Sequence, residues 1–512
     1  MTTWDTAAPH LRRRRVRGGD IPSPHPMSWR EQRRARTAKV VRDEIEGQVP
    51  GQVWNIFGLK VDPDGLFALG LFLPMLFMAN IGTMGAAVIA GLVPLYLFVR
   101  RERLTIVMLK RAFLFSVPLL AMMSVVWSEA PRETFKYAAE LGLTVIAGLL
   151  ISSARNQEAV IRGLGLAFFA YTGISVFGGG YVGVGVGAGG QAFSGLTESK
   201  NLLADIASTG AIVSMAVVAL AIRSRAWMWA VFGVAAFLLE VYAVTAARSA
   251  GALLGLGIGV CAMVGLLILV AAGKALRAFL TGVLASVLVA VGLSYRWVAQ
   301  TMIEIGANVF DKDPTLTGRT YLWYRAADLI DEKPMLGRGY YAFWLQGNVD
   351  AEGLWRYFGI ESRGGFTFHN TAVEILVTLG LVGLVLLSIV LIIGILALVK
   401  RFVERPNLAL VCWISLLLYQ LCRMPIETIG IAPFYFSTAL CFASLGAAFG
   451  RVDSKKIVRT AYRNTSPRVV QVWPVEDVAP GWANPRWAPE PGAMRLLRAD
   501  TAAQPRDRKA KR

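Results

Sequence analysis

The stretch F-H-N-T-A-V-E-I-L-V-T-L-G-L-V-G-L, residues 368–384, joins a polar segment to a long apolar run. The polar segment contains G-R-T-Y-L-W-Y-R-A-A-D-L-I-D-E-K-P-M-L-G-R-G-Y, residues 318–340, which mixes arginines, acids, aromatic residues and glycines. Almost every other part of the chain is an apolar run or a basic tail. We therefore expect the chemistry of this protein in residues 318–383, with a membrane frame around it.

Repeated apolar runs decide the fold class. Of the 512 residues, 55% are hydrophobic and 17% are charged, whereas soluble proteins have roughly 25% charged residues. The apolar runs are close to the ~20 residues that cross a bilayer as a helix. They predict an all-α polytopic membrane protein with about twelve transmembrane helices, at residues 66–82, 84–99, 112–127, 136–153, 161–178, 201–222, 226–246, 249–272, 276–295, 369–399, 408–424 and 431–449.

Two basic tails enclose this apolar region. Residues 1–64 and 450–512 carry much of the net charge of +19, and residues 65–449 form the expected transmembrane domain. Basic tails beside membrane spans are typical of cytoplasmic segments that face anionic lipid. We therefore expect disordered cytoplasmic tails and membrane lipid as a partner, and no nucleic acid.

A long polar segment, residues 296–368, separates the ninth predicted span from the tenth. Basic residues fall in alternate connections, which places both termini in the cytoplasm and this segment on the periplasmic face. Loops of this length are usually functional, and the pattern predicts a helix within it at 318–332, ended by Pro334. The first half of the chain has no matching loop, which argues against a transporter built from symmetric repeats.

His369 is the first candidate for chemistry, because it lies where the long loop meets a span. A neutral imidazole there could act as a general base near neutral pH, or it could only orient the helix. Asn370 and Glu374 follow it as candidate ligands of a substrate. Thr371 and Glu374 also form the T-x-x-E pattern of a helix capping box, and Asn370 could itself cap the helix.

Arg248 is the second candidate, since it stands between two spans among small residues. An arginine at membrane depth is costly and usually has a partner or lines a cavity. The small neighbours leave room for the phosphates of a ligand. The alternatives are an arginine that extends to the membrane surface and an ion pair with Glu240.

Further basic residues on the same predicted face suggest an anionic ligand. Arg319 begins the loop helix, and Arg338 lies between Gly337 and Gly339 in a tight turn. Arginine forks suit phosphate oxygens, while Lys200 and Arg423 are weaker candidates. The alternative is a loop of balanced charge, and the four cysteines show no spacing of a metal site.

The motifs together resemble the O-antigen ligase and polysaccharide polymerase superfamily. His369, Asn370, Gly380 and Gly383 match its H-[NSQ]-x9-G-x-x-G pattern, and residues 318–340 are similar to its G-R-x3-W…P-x-x-G-x-G stretch. T-A-A-R-S-A-G-A-L-L resembles its S-R-x-A segment, with Ala247 in place of serine. G-L-T-E-S-K-N is similar to the G-x-x-x-H-K-N segment of the exopolysaccharide polymerase branch, with Ser199 in place of histidine.

The resemblance implies an inverting glycosyl transfer, without metal or cofactor, at the periplasmic face of a bacterial inner membrane. The donor would be an oligosaccharide on polyprenyl diphosphate, and a growing glycan would be the acceptor. Arg248 and Arg319 would stabilise the departing diphosphate, and His369 would take a proton from the acceptor hydroxyl or orient it. A flippase and a chain-length regulator are the further partners implied.

Three functions remain open from the sequence. The leading hypothesis is an exopolysaccharide polymerase that joins lipid-linked repeat units. The nearest alternative is an O-antigen ligase that passes a finished glycan to lipid A–core. A polysaccharide or lipid transporter without catalysis is the alternative of a different class.

Overall fold

The computed structural model describes residues 54–449, apart from 57–58, 100–110, 155, 184–189, 198, 294–317, 362 and 364. Most of the predicted basic tails lie outside these residues. The described chain is almost entirely helical, as predicted. The first helices are α1 Pro63–Leu76, α2 Met78–Ile81, α3 Thr83–Val99, α4 Ser116–Met123, α5 Pro131–Ser153, α6 Gln157–Gly178, α7 Lys200–Ser224, α8 Trp227–Ala246 and α9 Ala250–Ala271.

The remaining helices are α10 Lys274–Leu293, α11 Arg319–Glu332, α12 Val349–Phe358, α13 Thr371–Glu404, α14 Leu408–Arg423 and α15 Phe436–Ala447. Short 3-10 turns at Ala112–Phe115 and Ser124–Val126 flank α4. The loop helix predicted over 318–332 is confirmed as α11, which Gly318 precedes with a φ of 83°. An exposed ion pair joins Arg325 to Asp328 three residues later on this helix, at 2.9 Å.

Within the described residues, six helices are long and apolar enough to cross a membrane: α5, α6, α7, α8, α9 and α13. The chain is therefore a multi-pass helical membrane protein. Every predicted span overlaps a described helix. The total of about twelve spans stays a prediction, because α1, α3, α14 and α15 have only 10–17 residues.

Two short antiparallel hairpins depart from the sequence prediction. β1 Trp54–Ile56 pairs with β2 Leu59–Val61, inside the segment that we expected to be disordered. β3 Gly180–Gly183 pairs with β4 Gln191–Gly195, at the two ends of a glycine-rich stretch, residues 178–190. Backbone pairing needs no particular side chain, so a glycine-rich composition does not prevent it.

The helices pack around one large apolar core. α7 packs on α8, α1 on α6, α5 on α15, and α9 on α14. The loop segment 318–370 has a second, smaller core, in which Leu322, Ala326 and Leu329 of α11 meet Leu354 and Trp355 of α12. This core makes the loop a folded element that can hold side chains in fixed positions.

Helix α13 is broken at Gly380, which has φ 66° and ψ −166°. In an unbroken helix the N–H groups of Leu381 and Val382 would bind the carbonyls of Val377 and Thr378. Here they donate instead to the carbonyls of Pro334 and Met335, at 2.8 and 3.2 Å.

The vacated carbonyls are also satisfied by the loop. The Arg338 N–H donates to Val377 at 3.0 Å, and the Gly339 N–H donates to Thr378 at 2.9 Å. Segment 334–339 therefore replaces the hydrogen bonds that the break removes, as buried backbone requires. The insertion ties the end of α11 to the middle of α13.

Candidate active site

Asn370 begins α13 and caps it. Its side-chain oxygen accepts from the N–H groups of Ala372 and Val373, which satisfies two donors that a helix start leaves unpaired. Its amide nitrogen donates to the carbonyl of Pro425 at 3.0 Å. Asn370 therefore fixes both the helix start and the chain that follows α14.

Glu374 does not form the predicted capping box, because the Thr371 N–H donates to the carbonyl of Met424. The buried Glu374 carboxyl accepts from the Phe368 N–H at 2.8 Å and from the Trp344 indole at 3.2 Å. Asn370 occupies the cap position, so Glu374 lies one residue too far along the helix for the box. Glu374 instead holds the backbone just before His369.

His369 lies against a carboxylate that the sequence analysis missed. Its Nδ1 is 3.0 Å from Oε2 of Glu427, and the ring is about a quarter exposed. Nε2 makes no hydrogen bond within the described part of the chain. His369 also has a φ of 50°, a left-handed conformation that is uncommon for a residue with a side chain. Nδ1 is thus hydrogen-bonded to Glu427, whereas Nε2 of this partly exposed ring is left without a partner among the described residues.

Two arginines converge on the same carboxylate. Arg319 donates from Nη2 to Oε1 of Glu427 at 2.8 Å, and Arg423 approaches that oxygen at 3.7 Å. The exposed fraction is 15% for the Arg319 side chain and 2% for Arg423. Arg319 is therefore partly exposed to solvent, while Arg423 contacts the same carboxylate from the buried side.

Arg423 is held by a buried polar cluster. Its Nη1 lies 2.7 Å from Oδ1 of Asp205 and 2.6 Å from the hydroxyl of Tyr419. Tyr419 also donates to Oδ1 of Asp205 at 2.7 Å, and Tyr435 lies 3.3 Å from Oδ2. Charges buried at membrane depth are stable only when paired in this way. Asp205 therefore anchors the arginine that faces Glu427.

The electrostatic environment keeps Glu427 ionised. Burial alone raises the pKa of Glu427, but pairing with His369, and then with Arg319 and Arg423, holds this pKa well below its ordinary value. An ionised carboxylate can only accept hydrogen bonds. A neutral His369 that donates to this carboxylate carries its proton on Nδ1, which leaves Nε2 as a proton acceptor.

This lowered pKa predicts how the stability contributed by Glu427 depends on pH. The folded-state pKa lies below the unfolded value of about 4.3, so the contribution is fully present above that value. It is lost as the pH falls further, through the folded pKa. The measurement is the difference in melting temperature between wild type and Glu427→Gln from pH 7 to pH 3. A difference that narrows already between pH 7 and pH 5 would contradict the lowered pKa.

Arg248 and Lys200 lie on segments that come close to the segment of Glu427. Arg248 is exposed in the turn between α8 and α9, with a φ of 51°. The next residue, Ser249, donates to Asn201, the second residue of α7, at 2.9 Å. Lys200 is the first residue of α7. A β-carbon at Gly251 would lie 2.7 Å from Ile426, the residue before Glu427.

This arrangement places Arg248 at the same end of the bundle as Glu427. The alternative ion pair between Arg248 and Glu240 is wrong, because Glu240 is buried and accepts from Ser214 at 2.7 Å. Among the described residues, the Arg248 side chain has no hydrogen bond or ion pair. A substrate-binding role for Arg248 and Lys200 stays a prediction.

Arg338 belongs to a different cluster from His369. Its guanidinium pairs with Glu129 at 2.7 Å and with Glu332, and Lys333 also contacts Glu129 at 2.7 Å. The side chain is 10% exposed. Its backbone takes part in the insertion into α13, so this pairing fastens segment 334–339 in place. A substrate-binding role for Arg338 stays a prediction.

The predicted candidates therefore fall into three groups. His369, Arg319 and Arg423 meet at Glu427, and Asn370 and Glu374 fix the chain around His369. Arg248 and Arg338 lie apart from this contact, and Lys200 is the first residue of α7. Glu427 has one sequence signal, its position four residues after Arg423 at the end of an apolar run.

Most aromatic residues of the loop pack against one another. The Trp344 ring lies 4.8 Å from that of Phe368 and 5.2 Å from that of Phe366. Trp355 is 1% exposed, and the Trp323 indole donates to the carbonyl of Phe368 at 2.8 Å. The Phe366 ring meets the edge of His369 at 5.5 Å. These contacts fix the segment that carries His369.

Comparison with known proteins gives the same assignment as the motifs. The O-antigen ligase family model matches residues 210–388, which include His369 and Arg319. The chain belongs to the O-antigen ligase and polysaccharide polymerase superfamily, in its exopolysaccharide branch.

A curated relative is the exopolysaccharide production protein ExoQ of Rhizobium meliloti (strain 1021). The chain is 30% identical to it over 342 residues, which are 65% of this chain and 76% of the relative. A ligase- or polymerase-like role in polysaccharide synthesis follows for this membrane protein.

Proposed function

We propose that this protein polymerises exopolysaccharide repeat units by inverting glycosyl transfer from a polyprenyl-diphosphate-linked glycan. One observation carries the proposal. The Glu427 carboxylate holds Nδ1 of His369 at 3.0 Å and Nη2 of Arg319 at 2.8 Å. This geometry sets a base and a cation side by side, both partly exposed, as transfer with an anionic leaving group requires.

In the proposed reaction, a hydroxyl of the acceptor sugar attacks the anomeric carbon of the donor. The hydroxyl proton passes to Nε2 of His369, while the bond between the anomeric carbon and the diphosphate oxygen breaks. The bonding electrons remain on that oxygen, and the polyprenyl diphosphate departs. The proton on His369 returns to water, and attack opposite the leaving group inverts the anomeric configuration.

Arg319 stabilises the charge that develops on the leaving diphosphate. Only its Nη2 is engaged by Glu427, and its other N–H groups make no hydrogen bond within the described residues. A guanidinium fork can therefore bind diphosphate oxygens while it stays on Glu427. Arg248, exposed at the same end of the bundle, supplies a second positive charge to the leaving diphosphate. Membrane lipid is the proposed surrounding of the site.

The donor is proposed to reach the site at the periplasmic face of the inner membrane, where a flippase would deliver it and a chain-length regulator would limit the product. The relative named for exopolysaccharide production favours the polymerase over a ligase that acts on lipid A–core. The two differ only in the acceptor. A transporter without catalysis would not need a histidine base that Glu427 orients.

Arg319→Ala is expected to lower the transfer rate by roughly 10²–10³-fold, the loss typical of removing one group that stabilises a transition-state anion. The measurement uses purified protein in proteoliposomes with lipid-linked repeat units extracted from the producing cells. Arg319→Lys should recover only part of the rate, because a point charge replaces a fork. Arg363→Ala is the matched control, since that exposed arginine pairs with Glu352, outside the site.

The acceptor distinguishes the alternatives in the same assay. Joined repeat units on the polyprenyl carrier indicate a polymerase, whereas transfer only to added lipid A–core indicates a ligase. The enzymatic function would be contradicted if the wild-type protein moved lipid-linked glycan across the membrane without forming a glycosidic bond. An unchanged rate in Arg319→Ala would remove Arg319 from the mechanism.

A further inference from the structure

Three tyrosines of the loop segment remain exposed although most of its aromatic residues are packed. Tyr321, Tyr324 and Tyr357 are 38%, 66% and 61% exposed. The rings of Tyr321 and Tyr357 lie 4.5 Å apart and are tilted by 36°. We call these three residues the tyrosine face. Large exposed aromatic groups beside a functional site commonly mark a binding surface.

The tyrosine face belongs to the solvent side of α11. Leu322, Ala326 and Leu329 are buried in the loop core. Tyr321 and Tyr324 lie on the opposite side with Arg325 and Asp328, at the spacing of one helix face. The core therefore leaves a stripe of alternating rings and charges uncovered.

Charged groups show that this stripe faces water and not lipid. Arg325 bonds Asp328 at 2.9 Å and lies 3.6 Å from Asp350 of α12. All three side chains are between 38% and 48% exposed, and such charges would be costly against hydrocarbon. Mutual pairing holds the guanidinium and the carboxylates in fixed positions between the rings. An apolar partner such as a lipid tail does not match this mixture.

A continuous path of aromatic rings connects the tyrosine face to His369. Tyr357 lies 5.0 Å from Phe358, and Phe358 lies 5.5 Å from Phe366. The ring of Phe366 lies 5.5 Å from that of His369. Arg319 starts the same helix that carries Tyr321 two residues later. A chain that leaves the site along this path reaches the tyrosine face next.

We propose that the tyrosine face binds a glycan chain and guides it to or from His369. The flat carbon–hydrogen face of a sugar ring matches an exposed tyrosine, and sugar hydroxyls match the fixed oxygens and N–H groups of Asp328, Asp350 and Arg325. A glycan uses both features at once, and the path of rings to His369 favours it as the occupant. The proposal rests on the proposed function for the direction of the path, but glycan binding itself can be measured separately.

The binding test uses full-length protein in nanodiscs, with fluorescently labelled polysaccharide purified from the medium of the cells that carry the protein. The double substitution Tyr321→Ala with Tyr357→Ala is expected to raise Kd by roughly tenfold, the scale for loss of anchoring aromatic residues. Tyr321→Phe with Tyr357→Phe keeps the rings and should stay within about threefold. Tyr181→Ala is the matched control, because that tyrosine is 64% exposed and lies outside the path.

A second measurement separates this inference from the proposed function. In the proteoliposome assay, the alanine pair should still join two repeat units at the wild-type rate but should produce shorter polymer. If wild type shows no transfer and yet binds the polysaccharide through these tyrosines, the proposed function fails and the glycan site stands. Unchanged polysaccharide binding in the alanine pair overturns the glycan site. Equal binding of the labelled polysaccharide to nanodiscs without protein also overturns it.

Discussion

Glu427→Gln is expected to lower the rate of glycosyl transfer by about 10²–10⁴-fold, comparable to replacing the orienting carboxylate of a catalytic histidine by its amide. The Glu427 carboxylate accepts from His369 and Arg319 at 3.0 and 2.8 Å. An amide can turn its NH₂ group toward Nδ1, which then becomes an acceptor. His369 would carry its proton on Nε2 and could not accept one from the sugar hydroxyl.

The measurement is the rate constant for joining lipid-linked repeat units under saturating substrate. Because Glu427 acts through His369, it is a positioning residue, and the loss should appear in kcat more than in KM. Glu427→Asp keeps the charge and should recover part of the rate. Glu158→Gln is the matched control, since Glu158 also pairs with an arginine, Arg162, four residues away on the same helix.

A double variant tests the coupling between the two residues. If Glu427 serves only to orient His369, then Glu427→Gln should cost little more once His369→Ala is present. If the two losses of transfer rate are additive, Glu427 contributes to the reaction independently of His369, for instance by positioning Arg319. A wild-type rate in Glu427→Gln, with the protein folded, would contradict the proposed base.

Gly380→Ala is expected to prevent accumulation of folded protein. A β-carbon at this position would lie 2.3 Å from the backbone carbon and oxygen of Met335. The backbone conformation at Gly380, φ 66° and ψ −166°, is nearly restricted to glycine and costs other residues of order 1–3 kcal/mol. Displacement of the loop would also break four backbone hydrogen bonds, each worth about 1 kcal/mol.

The effect is measured as the yield and melting temperature of detergent-solubilised protein by size-exclusion chromatography. Gly257→Ala is the matched control, because nothing lies within 4 Å of a β-carbon at that position in α9, and alanine favours a helix by up to ~1 kcal/mol. Gly337→Ala should resemble Gly380→Ala, since its β-carbon would lie 2.5 Å from the backbone of Thr378. A folded, active Gly380→Ala protein would show that the break in α13 is not required.

The glycine motifs gain a physical explanation from this insertion. Gly380, together with Gly337 and Gly339 of the segment P-M-L-G-R-G, brings two backbones into hydrogen-bonding contact inside α13. The motifs could be read from the sequence as similar to those of a family. The sequence could not predict that the two motifs contact each other, because no local pattern indicates which segment of backbone packs against a given glycine.

Local patterns were sufficient for the helices, the start of α13 and three of the candidate residues that meet at Glu427. Apolar runs of bilayer length predict helices because hydrocarbon leaves no other partner for the backbone. Asn370 was a candidate cap, and α11 was delimited by Gly318 and Pro334, which are both short-range signals. Position at a span end pointed to His369 and Arg423, and the arginine at the start of the loop helix pointed to Arg319 as a ligand of an anion.

Only the tertiary structure decided which of these residues act together. The contact between His369 and Glu427 spans 58 residues, that between Arg319 and Glu427 spans 108, and that between Asp205 and Arg423 spans 218. Such pairs depend on how helices pack, and no periodicity in one segment encodes the position of another. The sequence by itself determined a helical membrane protein with an arginine- and histidine-bearing loop. Packing determined that Glu427 lies at the centre of the site, because burial forces each charge to find its partner across the fold.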